Sequence, residues 1–295
     1  MTGLKEVRSR INSVKTTRKI TSAMKMVAAS RLRQVQNKIG HVRVYEKKLI
    51  AILRDMMLVA KDQADHHFLC QKQESRNVLI VAAGSNRGMC GVYNAMVIKH
   101  TLKEIAEREK NGYRVRLMTI GKKPFDFFSK QPYPILLKDD QAIDKLDATK
   151  ALAFADQVKE LYLKHQIADV VMVYHRFRNA AVQDLRTETL LPINMQAIAD
   201  EEDATVQELA EYDRLILEPS PEEVWHYMTS RYLHMHCLRI LLDAAASEHG
   251  SRLTAMHHAT DNADKLLKSL SLAYNKARQA NITRELMDIM GGANG

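Results

Sequence analysis

The stretch LKEVRSRINSVKTTRKITSAMKMVAASRLRQVQNKIGHVRVYEKKLIAILRDM, residues 4–56, decides the fold. Stepping through it alternately by three and four visits sixteen positions, twelve of them apolar: Leu4, Val7, Ile11, Val14, Ala28, Leu32, Val35, Ile39, Val42, Leu49, Leu53 and Met56. A period of about 3.5 residues sustained over roughly eight heptads is the a/d seam of a coiled coil. No proline interrupts it. A single helix of this length spans roughly 80 Å at about 1.5 Å per residue. The seam breaks at Arg18, Thr21 and Lys25, where the partner surface is expected to change.

The other end of the chain supplies the partner. Ser220-Pro221-Glu222-Glu223 sets an N-cap serine, a proline at the first helical position and a capping-box glutamate in order. No proline follows, and from Val224 to Met287 the same stepping meets an apolar residue at fifteen of nineteen positions. Many are alanines (Ala245, Ala259, Ala263, Ala273, Ala277, Ala280), small enough for two helices to approach closely. Gly291-Gly292 is the expected stop. Gly250 is an expected weak point, costing about 1 kcal/mol relative to alanine. This helix spans roughly 105 Å. The simplest pairing is an antiparallel, left-handed two-stranded coil. The longer second helix then projects, with Tyr274 to Met290 as the overhang.

The middle reads differently. Asn77 to Ala83 is a short buried strand, Gly84 to Gly91 a glycine-bounded loop, and Val92 to about Glu109 a helix ended by Asn111-Gly112. Arg114 to Ile120 is a second strand, Ala142 to His165 a helix, Ala168 to His175 a third strand and Val182 to Leu191 a fourth. Alternating β and α elements predict a largely parallel sheet covered by helices. The acidic stretch 199–211 is expected to be a mobile loop. The predicted fold class is therefore α/β: a long antiparallel two-helix coiled coil from the N- and C-terminal segments, with an inserted Rossmann-like α/β domain. The expected divisions are 1–60, 75–218 and 220–290.

Charge sharpens this picture. Residues 1–60 hold 14 Lys/Arg against 3 Asp/Glu, net +11, while the whole chain is +9. The excess positive charge belongs to the first helix and points to an acidic partner. A DNA-binding basic region is not expected, because the basic residues are spread along the helix rather than gathered ahead of a zipper. No apolar run approaches the roughly 20 residues that span a bilayer. The first residues lack the apolar core of a secretory signal, so the chain is read as cytoplasmic. Cys70, Cys90 and Cys237 have no repeated spacing, and neither a disulfide framework nor a cysteine-rich zinc site is expected.

Catalytic chemistry finds little support. Gly84-Ser-Asn-Arg-Gly-Met-Cys-Gly91 follows a strand and opens a helix, where phosphates bind. It lacks the Gly-Lys-Ser/Thr ending of a P-loop, so a tight strand-to-helix turn is the expected role. His66-His67 and His257-His258 are adjacent pairs that diverge on a helix, as do His234 and His236. No metal site is expected. Asp261 with Asp264, and Glu285 with Asp288, read as solvated faces of long helices. No catalytic, cofactor-binding or metal residue is assigned.

Three stretches closely resemble the gamma subunit of bacterial F-type ATP synthases. They are Ile11 to Leu32 (INSVKTTRKITSAMKMVAASRL), Ser85 to Gly91 (SNRGMCG), and Thr254 to Ala263 (TAMHHATDNA) continued by Tyr274 to Leu286 (YNKARQANITREL). With Glu218-Pro-Ser-Pro-Glu-Glu223, the resemblance spans essentially the whole chain. It departs from the family pattern at Asn86, where aspartate is usual, and at Gly250, where alanine is preferred. The resemblance implies a central shaft threaded through a ring of three alpha and three beta subunits, with the α/β insert beside the epsilon subunit and the membrane c ring. It implies coupling of proton flow to ATP synthesis at the cytoplasmic face of the bacterial inner membrane. Met24, Lys25 and Met26 match the segment facing the beta lever. Arg278 and Gln279 match positions bonding the beta catch loop. Arg252, Thr283 and Glu285 match coupling positions, and Glu218 matches a position near the c ring. Two other readings stay open on the residues alone: a coiled-coil scaffold joined to a regulatory domain, and an enzyme using the glycine-bounded loop.

Overall fold

The computed structural model describes residues 2–59, 69–70, 74–142, 146–195, 198 and 217–292. The acidic stretch 199–211 and the His66-His67 pair lie outside them. Two compact units make up the chain, Met1–Ser30 with Arg252–Gly295, and Arg31–Ser251. Two long helices contribute to both: α1 (Thr2–Val59) and α5 (Pro221–Gly292).

In the larger unit, β1 (Asn77–Ala83), β2 (Arg114–Ile120), β3 (Ile135–Asp139), β4 (Ile167–Phe177) and β5 (Gln183–Leu191) form one sheet in the order β3-β2-β1-β4-β5. The first four pair parallel, and β5 pairs antiparallel to β4. The run 3-2-1-4 is the doubly wound order of Rossmann-type sheets. Between the strands lie α2 (Tyr93–Lys110), α3 (Lys122–Phe128) and α4 (Ala148–Lys164). Val78, Ile80, Ala82, Leu117 and Val171 of the sheet pack with Val97 and Ile105 of α2 and Phe128 of α3.

Most boundaries fall within a residue or two of expectation; one helix starts later, and two elements were not foreseen. The helix expected from Ala142 begins at Ala148, because Asp147 stays extended and its carboxylate accepts from the Lys150 amide at 2.9 Å. α5 ends at Gly292, at the glycine pair expected to stop it. β3 and α3 were not foreseen. β3 is a sheet-edge strand with no buried side chain, and α3 carries Pro124 in its first turn.

The seam is visible in burial. Leu32, Ile39, Glu46, Leu49, Leu53 and Met56 are buried along α1 in the larger unit. There the α1 segment pairs antiparallel with α5, Tyr45 meeting Arg231 and Arg43 meeting Asp243. Residues 240–248 of α5 are buried all round the helix, because the sheet unit covers what α1 does not. Three hydrogen bonds fix that face: Tyr93 Oη to the Ala244 carbonyl at 3.1 Å, Ser247 Oγ to the His175 carbonyl at 2.8 Å, and Ser251 Oγ to the Cys90 carbonyl at 2.7 Å. Gly250 belongs to the same contact. A Cβ there would sit 3.3 Å from the Ala180 carbonyl oxygen in the β4–β5 turn. Its lost helix propensity is thus exchanged for close approach of that turn.

Candidate functional site

Among the described residues of the smaller unit, α1 packs against α5. Thr260 Oγ1 donates to Thr21 Oγ1 at 2.9 Å, and Arg18 pairs with Asp264 at 2.5 Å. Two of the polar positions that interrupt the α1 seam, Arg18 and Thr21, are therefore answered by polar residues on α5. Further on, Ser9, Ser13 and Val14 of α1 face Leu266 and Leu270 across a shallow groove. The order is antiparallel, as expected.

Beyond Leu270 the described side chains of α5 are exposed except Tyr274, Ala277 and Asn281, which are half-buried. These three are spaced i, i+3, i+7 and share one face of the helix. Arg278, Gln279, Thr283 and Glu285 are all exposed. Gln279, Thr283, Leu286 and Met290 follow one another at i, i+4, i+7 and i+11, while Arg278 and Glu285 share a neighbouring face. Large apolar side chains stand in solvent here: Leu272 at 65%, Ile282, Leu286, Met287 and Met290 at 68%. The overhang is thus a helix end with apolar groups and a few polar anchors on its outer surface.

The remaining expected positions are scattered. On α1, Met24 and Lys25 are half-buried and Met26 is exposed, next to exposed Ile20 and Val27. Arg252 is half-buried in the same unit. Glu218 is exposed in the larger unit, just before Ser220, whose hydroxyl accepts from the Glu223 amide at 3.3 Å.

The glycine-bounded loop is committed to its own framework. Ser85 N donates to Asn94 Oδ1 at 2.9 Å, and Ser85 Oγ donates to the Arg87 carbonyl at 2.7 Å. Asn86 bridges outward, its Nδ2 to the Asp140 carbonyl and its Oδ1 from the Lys122 amide. Gly84 is required by crowding: a Cβ would lie 2.4 Å from Pro124. Asparagine at position 86 suits these bonds, because it donates as well as accepts, which a carboxylate cannot do.

One polar cluster in the larger unit was not anticipated. Arg239 of α5 donates to Glu46 of α1 at 2.8 Å and to Glu188 of β5 at 2.6 Å, with Tyr174 Oη of β4 at 3.5 Å. His236 Nδ1 lies 3.4 Å from Glu46, and Tyr174 Oη donates to Glu188. Burial works to lower the Arg239 pKa, but Glu46 and Glu188 outweigh it and raise it. Burial likewise works to raise Glu188, yet Arg239 and His236 hold it below the ordinary carboxylate value. Asp243 goes the other way: burial pushes its pKa up despite Arg43 at 3.2 Å. The signal in the sequence was Glu46, a carboxylate at a seam position between the apolar seam residues Val42 and Leu49.

Comparison with known proteins agrees with this architecture. The ATP synthase family model matches residues 3–295. The chain is 40% identical to the ATP synthase gamma chain of Christiangramia forsetii over 293 residues, covering 99% of this chain and 98% of that one. It is 37% identical to the ATP synthase gamma chain of Chloroherpeton thalassium, covering 100% and 98%. Among solved structures, a chain of the Euglena gracilis mitochondrial ATP synthase (OSCP/F1/c-ring, rotational state 3) shares the fold with a TM-score of 0.64 at 23% identity, covering 99% of this chain and 93% of that one. A chain of the Tetrahymena thermophila mitochondrial ATP synthase central stalk and c-ring gives 0.57 at 22% identity, covering 81% and 99%. By this match along nearly its full length, the chain belongs to the ATP synthase gamma-chain family.

Proposed function

We propose that the chain is the central rotor shaft of a proton-translocating F-type ATP synthase, a non-catalytic subunit that couples rotation of a membrane c ring to the catalytic beta subunits. The observation that carries this reading is the exposed end of α5. Apolar side chains held in solvent along a helix mark a contact surface for other proteins, and here they run from Leu272 to Met290. A single asymmetric helix inside a ring of three alpha and three beta subunits meets three equivalent sites differently. It therefore biases each toward a different affinity for nucleotide, which converts rotation into synthesis.

In this scheme 1–60 and 220–290 form the shaft, and 75–218 is the inserted domain that meets the epsilon subunit and the c ring, with Glu218 near the ring. Arg278 and Gln279 bond the beta subunit, Arg252, Thr283 and Glu285 carry coupling, and Met24, Lys25 and Met26 face the beta lever. The +11 charge of residues 1–60 suits acidic surfaces on the beta subunits. No helix among the described residues is long and apolar enough to cross a membrane. Attachment to the cytoplasmic face of a bacterial inner membrane is then through the other subunits.

The test is direct. Arg278→Ala with Gln279→Ala should lower ATP synthesis in membrane vesicles by about tenfold, since charge-assisted hydrogen bonds of about 1.5–3 kcal/mol are lost. The amount of assembled complex should stay near that of the parent. Unchanged synthesis would remove both residues from the site. Failure of the parent chain to co-purify with alpha and beta subunits would overturn the rotor reading itself.

A further inference from the structure

We propose that Arg239 is a positioning residue for energy coupling, locking α1 and α5 to the α/β sheet so that torque passes between helices and sheet without slip. This rests on the reading of the chain as a rotor shaft.

Arg239 has only 13% of its side chain exposed, yet it meets three elements besides its own helix. Its Nε reaches Glu46 on α1, one Nη reaches Glu188 on β5, and the other faces Tyr174 on β4. On α5 itself Asp243 lies 3.7 Å away, and Arg43 of α1 closes the far side of that carboxylate at 3.2 Å. One planar guanidinium thus fixes the two helices and two strands against one another, in the fork geometry that lysine cannot reproduce.

Stability alone is a weak reason to keep such a cluster. Buried ion pairs gain little over apolar packing of the same volume, because desolvation offsets attraction. They do fix orientation. Apolar contacts are non-directional and permit helices to slide and turn on a sheet. A shaft loaded in torsion is challenged in that direction, and hydrogen bonds of defined angle resist it. The cluster is placed accordingly. It lies next to the three bonds of Tyr93, Ser247 and Ser251, all of which tie α5 to the sheet unit through a backbone carbonyl. Arg239 adds α1 to that tie, which those bonds do not reach.

The experiment uses the assembled complex reconstituted in liposomes, reading ATP hydrolysis and ATP-driven proton pumping on the same sample. Arg239→Met keeps the volume and removes the fork. The expected result is normal assembly and retained hydrolysis, with pumping per ATP hydrolysed clearly reduced, and partial recovery in Arg239→Lys. Glu188→Gln, which keeps the shape of its side chain, should lower the same ratio to a smaller extent and decides the matter where Arg239→Met does not assemble. An unchanged pumping-to-hydrolysis ratio overturns the proposal, as does a loss of both in proportion to the amount assembled. Absence of coupled pumping with the parent chain would instead sink the rotor reading.

Discussion

Residues 240–248 and 271–287 of α5 continue one heptad pattern along one helix, but their surroundings differ. In the first segment every residue is buried, and Ser247 spends its hydroxyl on the His175 carbonyl. In the second, only Tyr274, Ala277 and Asn281 are half-buried and leucine and methionine face water. The pattern alone does not distinguish them. What differs is how many partners each segment has within its unit: α1 and a sheet in one, α1 or nothing in the other. The first segment is organised for stability of this chain, and the second, on the proposed function, for contact with another.

Matched truncations break this contrast if it is wrong. Leu241 is 0% exposed, so Leu241→Ala should destabilise the chain by about 2–5 kcal/mol in urea unfolding, through lost burial and the cavity left behind. Leu272→Ala, at an exposed position, should change stability by no more than about 0.5 kcal/mol. Comparable losses at the two sites would mean that the overhang is packed in a way its exposure does not reveal. A smaller effect is expected at Ser247. Ser247→Ala removes one buried hydrogen bond and should cost about 1 kcal/mol.

At Asp243 a gain is expected instead. Its carboxyl is buried, one oxygen has no hydrogen-bond partner, and its pKa is raised above the ordinary 3.8. The folded state therefore favours the neutral acid, and that preference is lost as pH rises through the folded value. Asp243→Asn should raise the melting temperature at pH 7, with the gain shrinking as pH falls toward 3.8. A loss at pH 7 would show that its contacts to Arg43 and Arg239 outweigh desolvation, and a gain of equal size at both pH values would show that ionisation of the carboxyl is not its source.

The same contrast explains what was legible in the sequence. The seams of α1 and α5 could be read because a period of 3.5 repeats over many turns, and β1 because a buried parallel strand is a continuous apolar run. Ile135–Asp139 escaped because an edge strand has too few buried positions to leave a pattern. The overhang was legible from the unequal helix lengths and from the family motif that carries Arg278 and Gln279. The Arg239 cluster was not, since Glu46 and Glu188 lie 193 and 51 positions away and only the fold brings them together. A polar residue in a seam tells that a partner exists, not which one.

A small, salt-sensitive effect is expected at Arg18 and Asp264, where that ambiguity was sharpest. Both interrupt or border the seam, and their 2.5 Å pair is the closest ionic contact described in the smaller unit. Short distance does not make it strong. The side chains are 49% and 41% exposed, so water screens the charges and ordering two long side chains offsets much of the attraction. Arg18→Ala should cost no more than about 1 kcal/mol, and the difference should fade in about 1 M salt, where the screening length is roughly 3 Å. Thr21→Val, a few residues on, should keep its effect in salt, because the hydroxyl-to-hydroxyl bond it removes is buried and uncharged. If the order were reversed, with the exposed pair dominating and salt-resistant, the smaller unit would be held by charge rather than by its seam.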